Sequence, residues 1–250
     1  MIHTVAFEHK NKTLRGFVHV PKRYKTAVIL LHGFPSRCQG FTISRMAKVL
    51  EKKHLVFRFD FSGTDMSDGK FENKLISQEV KEIKSAVNFL CNNYEFEKLV
   101  LVGHSTGAID AALYAHKDKR VDKIVLIGGS GDLKEAVKYE FTPLQVRAFW
   151  KKGFIKYERE DKWYDGYKLN KAYYDEFFSL DMLKALGKYK RPTLIIHAEK
   201  DEFIPLKDAK QLFNSASSPK KLVVIRNANH QFSTKEQLRK LGKVILKFCK

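Results

Sequence analysis

Apolar residues run through this chain in two alternating rhythms. Short continuous blocks occur at 14–20 (LRGFVHV), 26–32 (TAVILLH), 55–60 (LVFRFD), 98–103 (KLVLVG), 122–128 (DKIVLIG), 192–197 (PTLIIH) and 221–226 (KLVVIR). Several are β-branched runs of about six residues with no polar alternation, the pattern of strands covered on both faces. Between them the period changes. Ile76, Val80, Ile83, Val87 and Leu90 recur at helical spacing, as do Leu238, Leu241, Ile245 and Phe248, which predicts amphipathic helices. Strands alternating with helices predict an α/β fold with a mainly parallel, doubly wound sheet. The first two apolar stretches, near 2–8 and 14–20, follow each other with no helix between them and predict an antiparallel edge.

One interval breaks the rhythm. Residues 132–190 separate two strands by far more than a crossover helix needs, and they are rich in rings: Phe141, Phe149, Trp150, Phe154, Tyr157, Trp163, Tyr164, Tyr167, Tyr173, Tyr174, Phe177 and Phe178. This segment reads as a mostly helical cap inserted into a single domain spanning 1–250. Trp150 and Trp163 are its candidate substrate-binding residues.

Composition narrows the class. A hydrophobic fraction of 44% over 250 residues is enough for an ordinary core. Three widely spaced cysteines, Cys38, Cys91 and Cys249, suit neither a disulfide framework nor a metal site. They point to a reducing, cytoplasmic setting. No secretory signal, no membrane span and no bound metal are expected. The net charge of +19 is large, but the lysines are spread over the whole chain. There is no basic stripe with interleaved aromatics, so a nucleic-acid partner is not expected. A homodimer is left open.

The chemistry gathers around LVLVGHSTGAI, residues 99–109. Gly103-x-Ser105-x-Gly107 lies between a predicted strand and a predicted helix, the setting of a nucleophile elbow. A serine hydroxyl needs a base, and in this motif the chain order is serine, acid, histidine. Of nine histidines, His230 in RNANHQF follows the last strand. The acid should follow PTLIIH, where AEKDEFIP offers Glu199, Asp201 and Glu202. Asp201 is preferred because Asp-x-x-x-Pro205 leads directly into the next helix. Two backbone donors would serve an oxyanion: the N–H of Thr106, and that of Phe34 in the His32-Gly33-Phe34-Pro35 loop. His32 and His104 flank these motifs and are expected to be structural.

These motifs resemble those of the α/β-hydrolase superfamily along the whole chain. More narrowly, LLHGFPS, FRFDFSGTDMSDGKFEN, LVGHSTG and ANHQFS resemble the bacterial cinnamoyl/feruloyl esterases. The resemblance implies the α/β-hydrolase fold with a mainly parallel eight-stranded sheet, helices on both faces and an inserted cap. It implies hydrolysis of small carboxylic esters, feruloyl-type esters included, through an acyl-enzyme on Ser105, with Asp201 and His230 completing a triad and no cofactor. Asp65 stands where the family commonly has glycine, and aspartate tolerates a left-handed turn better than most residues. Alternatives are a monoacylglycerol lipase, a thioesterase, a short-peptide serine hydrolase and, from another class, a non-catalytic binding scaffold.

Overall fold

A computed structural model describes all residues, Met1–Lys250. Eight strands form one sheet: β1 (Ile2–His9), β2 (Lys12–His19), β3 (Thr26–Leu31), β4 (Leu55–Phe59), β5 (Lys98–His104), β6 (Val121–Ile127), and, after the long interval, β9 (Thr193–Ala198) and β10 (Lys220–Ile225). Their order is β1-β2-β4-β3-β5-β6-β9-β10. β1 pairs with β2, and β2 with β4, in antiparallel fashion, whereas every pair from β4 onward is parallel. The predicted antiparallel edge and parallel body are both present.

The continuous apolar runs serve two faces at once. Ala27, Ile29 and Leu31 of β3 join one core, while Val28 and Leu30 join the other. The second core is closed by α1 (Phe41–Leu50) and α9 (Lys235–Phe248). The first holds α2 (Ile76–Asn93), α3 (Thr106–Ala115) and α8 (Leu206–Ser215). Every residue of α3 is buried, so this helix sits at the centre of the molecule and has no face to spare for solvent.

Between β6 and β9 lie α4 (Leu133–Glu140), α5 (Pro143–Lys152), a hairpin of β7 (Phe154–Lys156) with β8 (Lys168–Asn170), α6 (Lys171–Ser179) and α7 (Met182–Lys188). The interval expected to be mostly helical therefore also contains a small separate sheet. α7 returns to the main body, packing on α3 and α8, with the Tyr189 hydroxyl donating to Val121 O at 3.1 Å. The part that stands apart from the sheet ends before α7, short of residue 190.

The junction of β5 and α3 is held by steric exclusion. A Cβ on Gly103 would lie 2.0 Å from Gly107 O, and one on Gly107 would lie 2.4 Å from Leu31 O. Both obstacles are backbone and cannot rotate away. Gly103→Ala is expected to destabilise the fold by about 3 kcal/mol or more, the upper range for overpacking. A urea-denaturation midpoint close to that of the unmodified chain would show that the junction can relax.

Candidate active site

Phe34, Ser105, Thr106, Asp201 and His230 all lie just past the C-terminal ends of parallel strands, where open α/β sheets place their ligand sites. Ser105 caps α3 with φ 57° and ψ −124°. A non-glycine residue with positive φ is strained, and such strain persists only where the surroundings over-determine it. Here they do: the glycine contacts pin the chain on both sides, and Ser105 N donates to Ile127 O at 2.9 Å. The Ser105 hydroxyl makes no hydrogen bond to any protein group, and its side chain is half-buried.

The loop after β3 closes on this serine. A Cβ on Gly33 would lie 2.7 Å from Ser105 Cβ and 3.3 Å from its Oγ. His32 holds the loop. Its Nδ1 donates to Gly33 O at 2.8 Å, and its Nε2 accepts the Phe61 N–H at 3.3 Å. Both ring nitrogens are used by a neutral imidazole, and burial drives its pKa down to about 3. His104 is also structural: its Nε2 donates to His230 O at 2.9 Å, and burial lowers its pKa to about 3. The N–H groups of Phe34 and Thr106 donate to no other residue. Thr106 opens α3, where helix N–H groups lack internal partners and the dipole favours negative charge. Two unpartnered donors therefore follow directly on Ser105 and on Gly33, the glycine that packs against the Ser105 side chain.

His230 sits in the loop after β10, with its ring centroid 4.8 Å from that of His104, the residue before Ser105. Its Nδ1 lies 2.8 Å from Asp201 Oδ2 and 3.0 Å from Oδ1. Asp201 Oδ1 also accepts the N–H groups of Phe203 and Ile204 at 3.0 and 2.9 Å. Burial works to raise the Asp201 carboxyl, but the imidazole and these N–H donors outweigh it and hold the group below its ordinary value. An ionised Asp201 keeps the proton on Nδ1 and leaves Nε2, which has no partner within the chain, as the basic nitrogen.

Three supporting residues were not anticipated. Glu202, weighed only as an alternative acid, accepts the His230 backbone N–H at 3.0 Å. Glu199 instead accepts the Asn227 N–H at 2.8 Å, away from the imidazole. Gly128, after β6, has φ 54°, and a Cβ there would lie 3.2 Å from His230 Cε1 and 3.4 Å from Asp201 Oδ2. The Gly128-Gly129 pair at a strand end was the signal available for it. Glu140, the last residue of α4, is densely surrounded. Burial raises its carboxyl to about 7 against the pull of the nearby His230 ring. Nothing in the spacing of the sequence marks Glu140.

The aromatic residues of the long interval divide. The Tyr173 ring lies 4.5 Å from that of Phe34, and Tyr157 lies 6.3 Å from it. Trp163 is half-buried and packs edge-on against Phe71 at 5.7 Å, and Phe71 stacks on Phe34 at 5.4 Å. Trp150 departs from expectation. It is 68% exposed, and its only ring contact is the Lys171 ammonium at 4.1 Å. α5 turns Phe149 inward to the core, and the next residue necessarily points about 100° away. Asp65 takes φ 36° and is held by Arg37 at 3.0 Å, so the turn survives the loss of glycine.

Gly128→Ala should push the imidazole away from Asp201 while sparing the distant core. Proton NMR of the Asp201–His230 hydrogen bond, beside a thermal melt, checks this. The downfield resonance should weaken or shift with Tm lowered by only a few degrees, as about 1 kcal/mol of αL strain would give.

The family model for the alpha/beta hydrolase fold matches residues 26–157. The AB hydrolase superfamily protein YisY of Bacillus subtilis is 24% identical over 88% of this chain and 90% of its own length. The mitochondrial palmitoyl-protein thioesterase ABHD10 of Bos taurus is 23% identical over 86% of this chain and 70% of its own. Among solved structures, ferulic acid-bound Est1E from Butyrivibrio proteoclasticus superposes with a TM-score of 0.82 at 21% identity, covering 98% of this chain and 97% of that one. With the family model covering more than half of the chain, and the fold and strand-end geometry in agreement, this protein belongs to the alpha/beta hydrolase family.

Proposed function

We propose that the chain is a serine carboxylesterase acting on small carboxylic esters. The observation that carries this reading is the 2.8 Å Asp201–His230 contact at the same strand ends as a serine held at φ 57°, with the Phe34 and Thr106 N–H groups unpartnered. His230 takes the Ser105 proton as Oγ attacks the ester carbonyl. The N–H groups of Phe34 and Thr106 receive the oxyanion. Asp201 stabilises the imidazolium, the alcohol leaves, and water repeats the sequence on the acyl-enzyme. The residues between 132 and 181 act as a cap. Its Tyr157 and Tyr173 rings reach the Phe34 loop, while Trp163 reaches it through Phe71. This supports a preference for aryl acyl groups of the feruloyl type, and the solved relative with ferulic acid bound agrees in fold. Thiols without disulfide partners at Cys38, Cys91 and Cys249 support a reducing cytoplasm. No helix is long and apolar enough to cross a membrane.

Ser105→Ala and His230→Ala should each lower kcat by about 10⁴ or more, with the double variant little worse than either single one, because such residues act as a unit. A fluorophosphonate should add one mass increment, on Ser105. Turnover of a nitrophenyl ester by Ser105→Ala near the unmodified rate would exclude the reading.

Trp163→Ala and Tyr157→Ala should lower kcat/KM for methyl ferulate more than for a butyrate ester, by about threefold to tenfold for each lost aromatic pair. Trp150→Ala should leave both unchanged. A laurate ester that outruns ferulate would move the assignment to a lipase or a long-chain thioesterase, the activity named for the ABHD10 relative.

Glu140 generates a pH prediction. Its carboxyl ionises as pH rises through about 7, and only the ionised form stabilises the imidazolium on His230. Glu140→Gln should therefore lower kcat/KM above pH 7 and leave it nearly unchanged below pH 6, where the protonated glutamic acid and the glutamine that replaces it are both uncharged. A loss of the same size at every pH would mean that Glu140 acts only through packing.

A further inference from the structure

At the other end of the sheet, where β3, β4 and β5 begin and α1 and α9 end, lies a cleft of about 590 Å³. It is remote from Ser105 by the length of the central strands, and the esterase reading gives it no role. Its walls carry Arg23, Lys25, Lys52, Lys53, Lys98 and Lys250, against a single side-chain carboxylate, Glu97, that is already paired with Lys25 at 2.8 Å. Lys98 donates to Lys250 O at 3.1 Å. The charged ends of Arg23, Lys52, Lys53 and Lys250 have neither a carboxylate nor a hydrogen-bond partner.

Helix C-termini attract cations, and the ends of α1 and α9 account for some of this charge. They do not account for His54. This histidine lines the same cleft, is only 6% exposed, and has no hydrogen-bond partner at either Nδ1 or Nε2. Buried polar groups are nearly always paired, and an orphan carries a desolvation penalty unless a partner arrives from outside. Burial, helped by Lys53, lowers the His54 pKa. The neutral ring keeps one N–H donor to offer. The cleft thus combines in one lining a buried, unpartnered histidine, several unpaired cations and Thr26, whose hydroxyl donates to Cys249 O at 3.4 Å.

We propose that this cleft binds an oligoanionic phosphate group, with His54 donating to it and Lys52, Lys53 and Arg23 neutralising its charge. A compact anion with several acceptor oxygens fits a set of this kind, in which almost every side chain donates, the one side-chain carboxylate is paired with Lys25 and the Lys250 main-chain oxygen is met by Lys98. Such a phosphate could be carried by a soluble metabolite or by a lipid headgroup.

The test does not use esterase activity, so its outcome is independent of the triad. Inorganic pyrophosphate is titrated into the full chain by calorimetry at fixed ionic strength, and the histidine ring protons are followed by NMR. In parallel, the chain is sedimented with phosphatidylcholine vesicles containing phosphatidate. The expected result is one saturable pyrophosphate site that shifts the His54 ring signals. His54→Phe and the surface pair Lys52→Glu/Lys53→Glu should each weaken it by about tenfold or more, the effect of losing one or more charge-assisted contacts. Lys210→Glu on α8 should bind like the unmodified chain. Binding to the phosphatidate vesicles alone, lost in the same variants, would support the site and assign the phosphate to a lipid. Equal weakening by Lys210→Glu, or no saturable binding of either probe, would overturn the proposal. The surface pair keeps the test decisive if His54→Phe does not fold.

Discussion

The approach of three backbones at one point constrains everything else in this molecule. β5 must end, turn and become α3 within the space left by β3 beside it. Gly103 and Gly107 are the residues that permit it, since a Cβ at either would come within 2.0 or 2.4 Å of a backbone carbonyl oxygen. The turn that results carries Ser105 into positive φ and lifts its side chain out of the sheet. Strain of this kind is held by surrounding packing, and α3, buried along its entire length, supplies that packing.

The remaining pieces arrive from loops that share no sequence neighbourhood. Gly33 comes after β3, Gly128 after β6, Asp201 after β9 and His230 after β10. A parallel sheet brings them together because every crossover returns each strand to the same end. The electrostatics then follow from burial. His32 and His104 are enclosed and committed to backbone partners, which keeps them neutral. His230 is held by a carboxylate that its own N–H donors keep ionised. Several histidines and acids lie within one loop layer, yet only one imidazole has both an anionic partner and an unused nitrogen.

Placement of ionisable groups distinguishes this chain further. Beneath the Phe34 loop, Lys74 pairs with Glu79 at 2.7 Å in full burial, with Asp110 close by, and burial raises both carboxyls. Tyr173 lies over the same region with its hydroxyl unpartnered, and its ring supports Phe34. The inserted segment is thereby joined to the Phe34 loop by aromatic packing, with the buried polar cluster close to the same ring.

Several features were legible in the residues alone. Continuous β-branched runs are readable because a strand with two buried faces has no polar positions, and the α/β order with its antiparallel edge followed from them. The Gly103-Ser105-Gly107 spacing was readable because only glycine fits, and His230 because chain order and strand count leave one candidate. The aromatic interval was readable as an insertion from its length. Other features required the fold. Trp150 and Trp163 look equivalent as sequence, but the rotation of α5 sends one to solvent while packing on Phe71 holds the other. The β7–β8 hairpin was hidden by its three-residue strands, too short to show a period. The Asp-x-x-x-Pro205 pattern favoured Asp201 over Glu199, and the distances agree, with Asp201 on the imidazole and Glu199 turned to the Asn227 N–H. Glu140 within electrostatic reach of His230, and His54 in one cleft with Arg23 and Lys250, depend on segments far apart in the chain, and a linear pattern carries no record of such encounters.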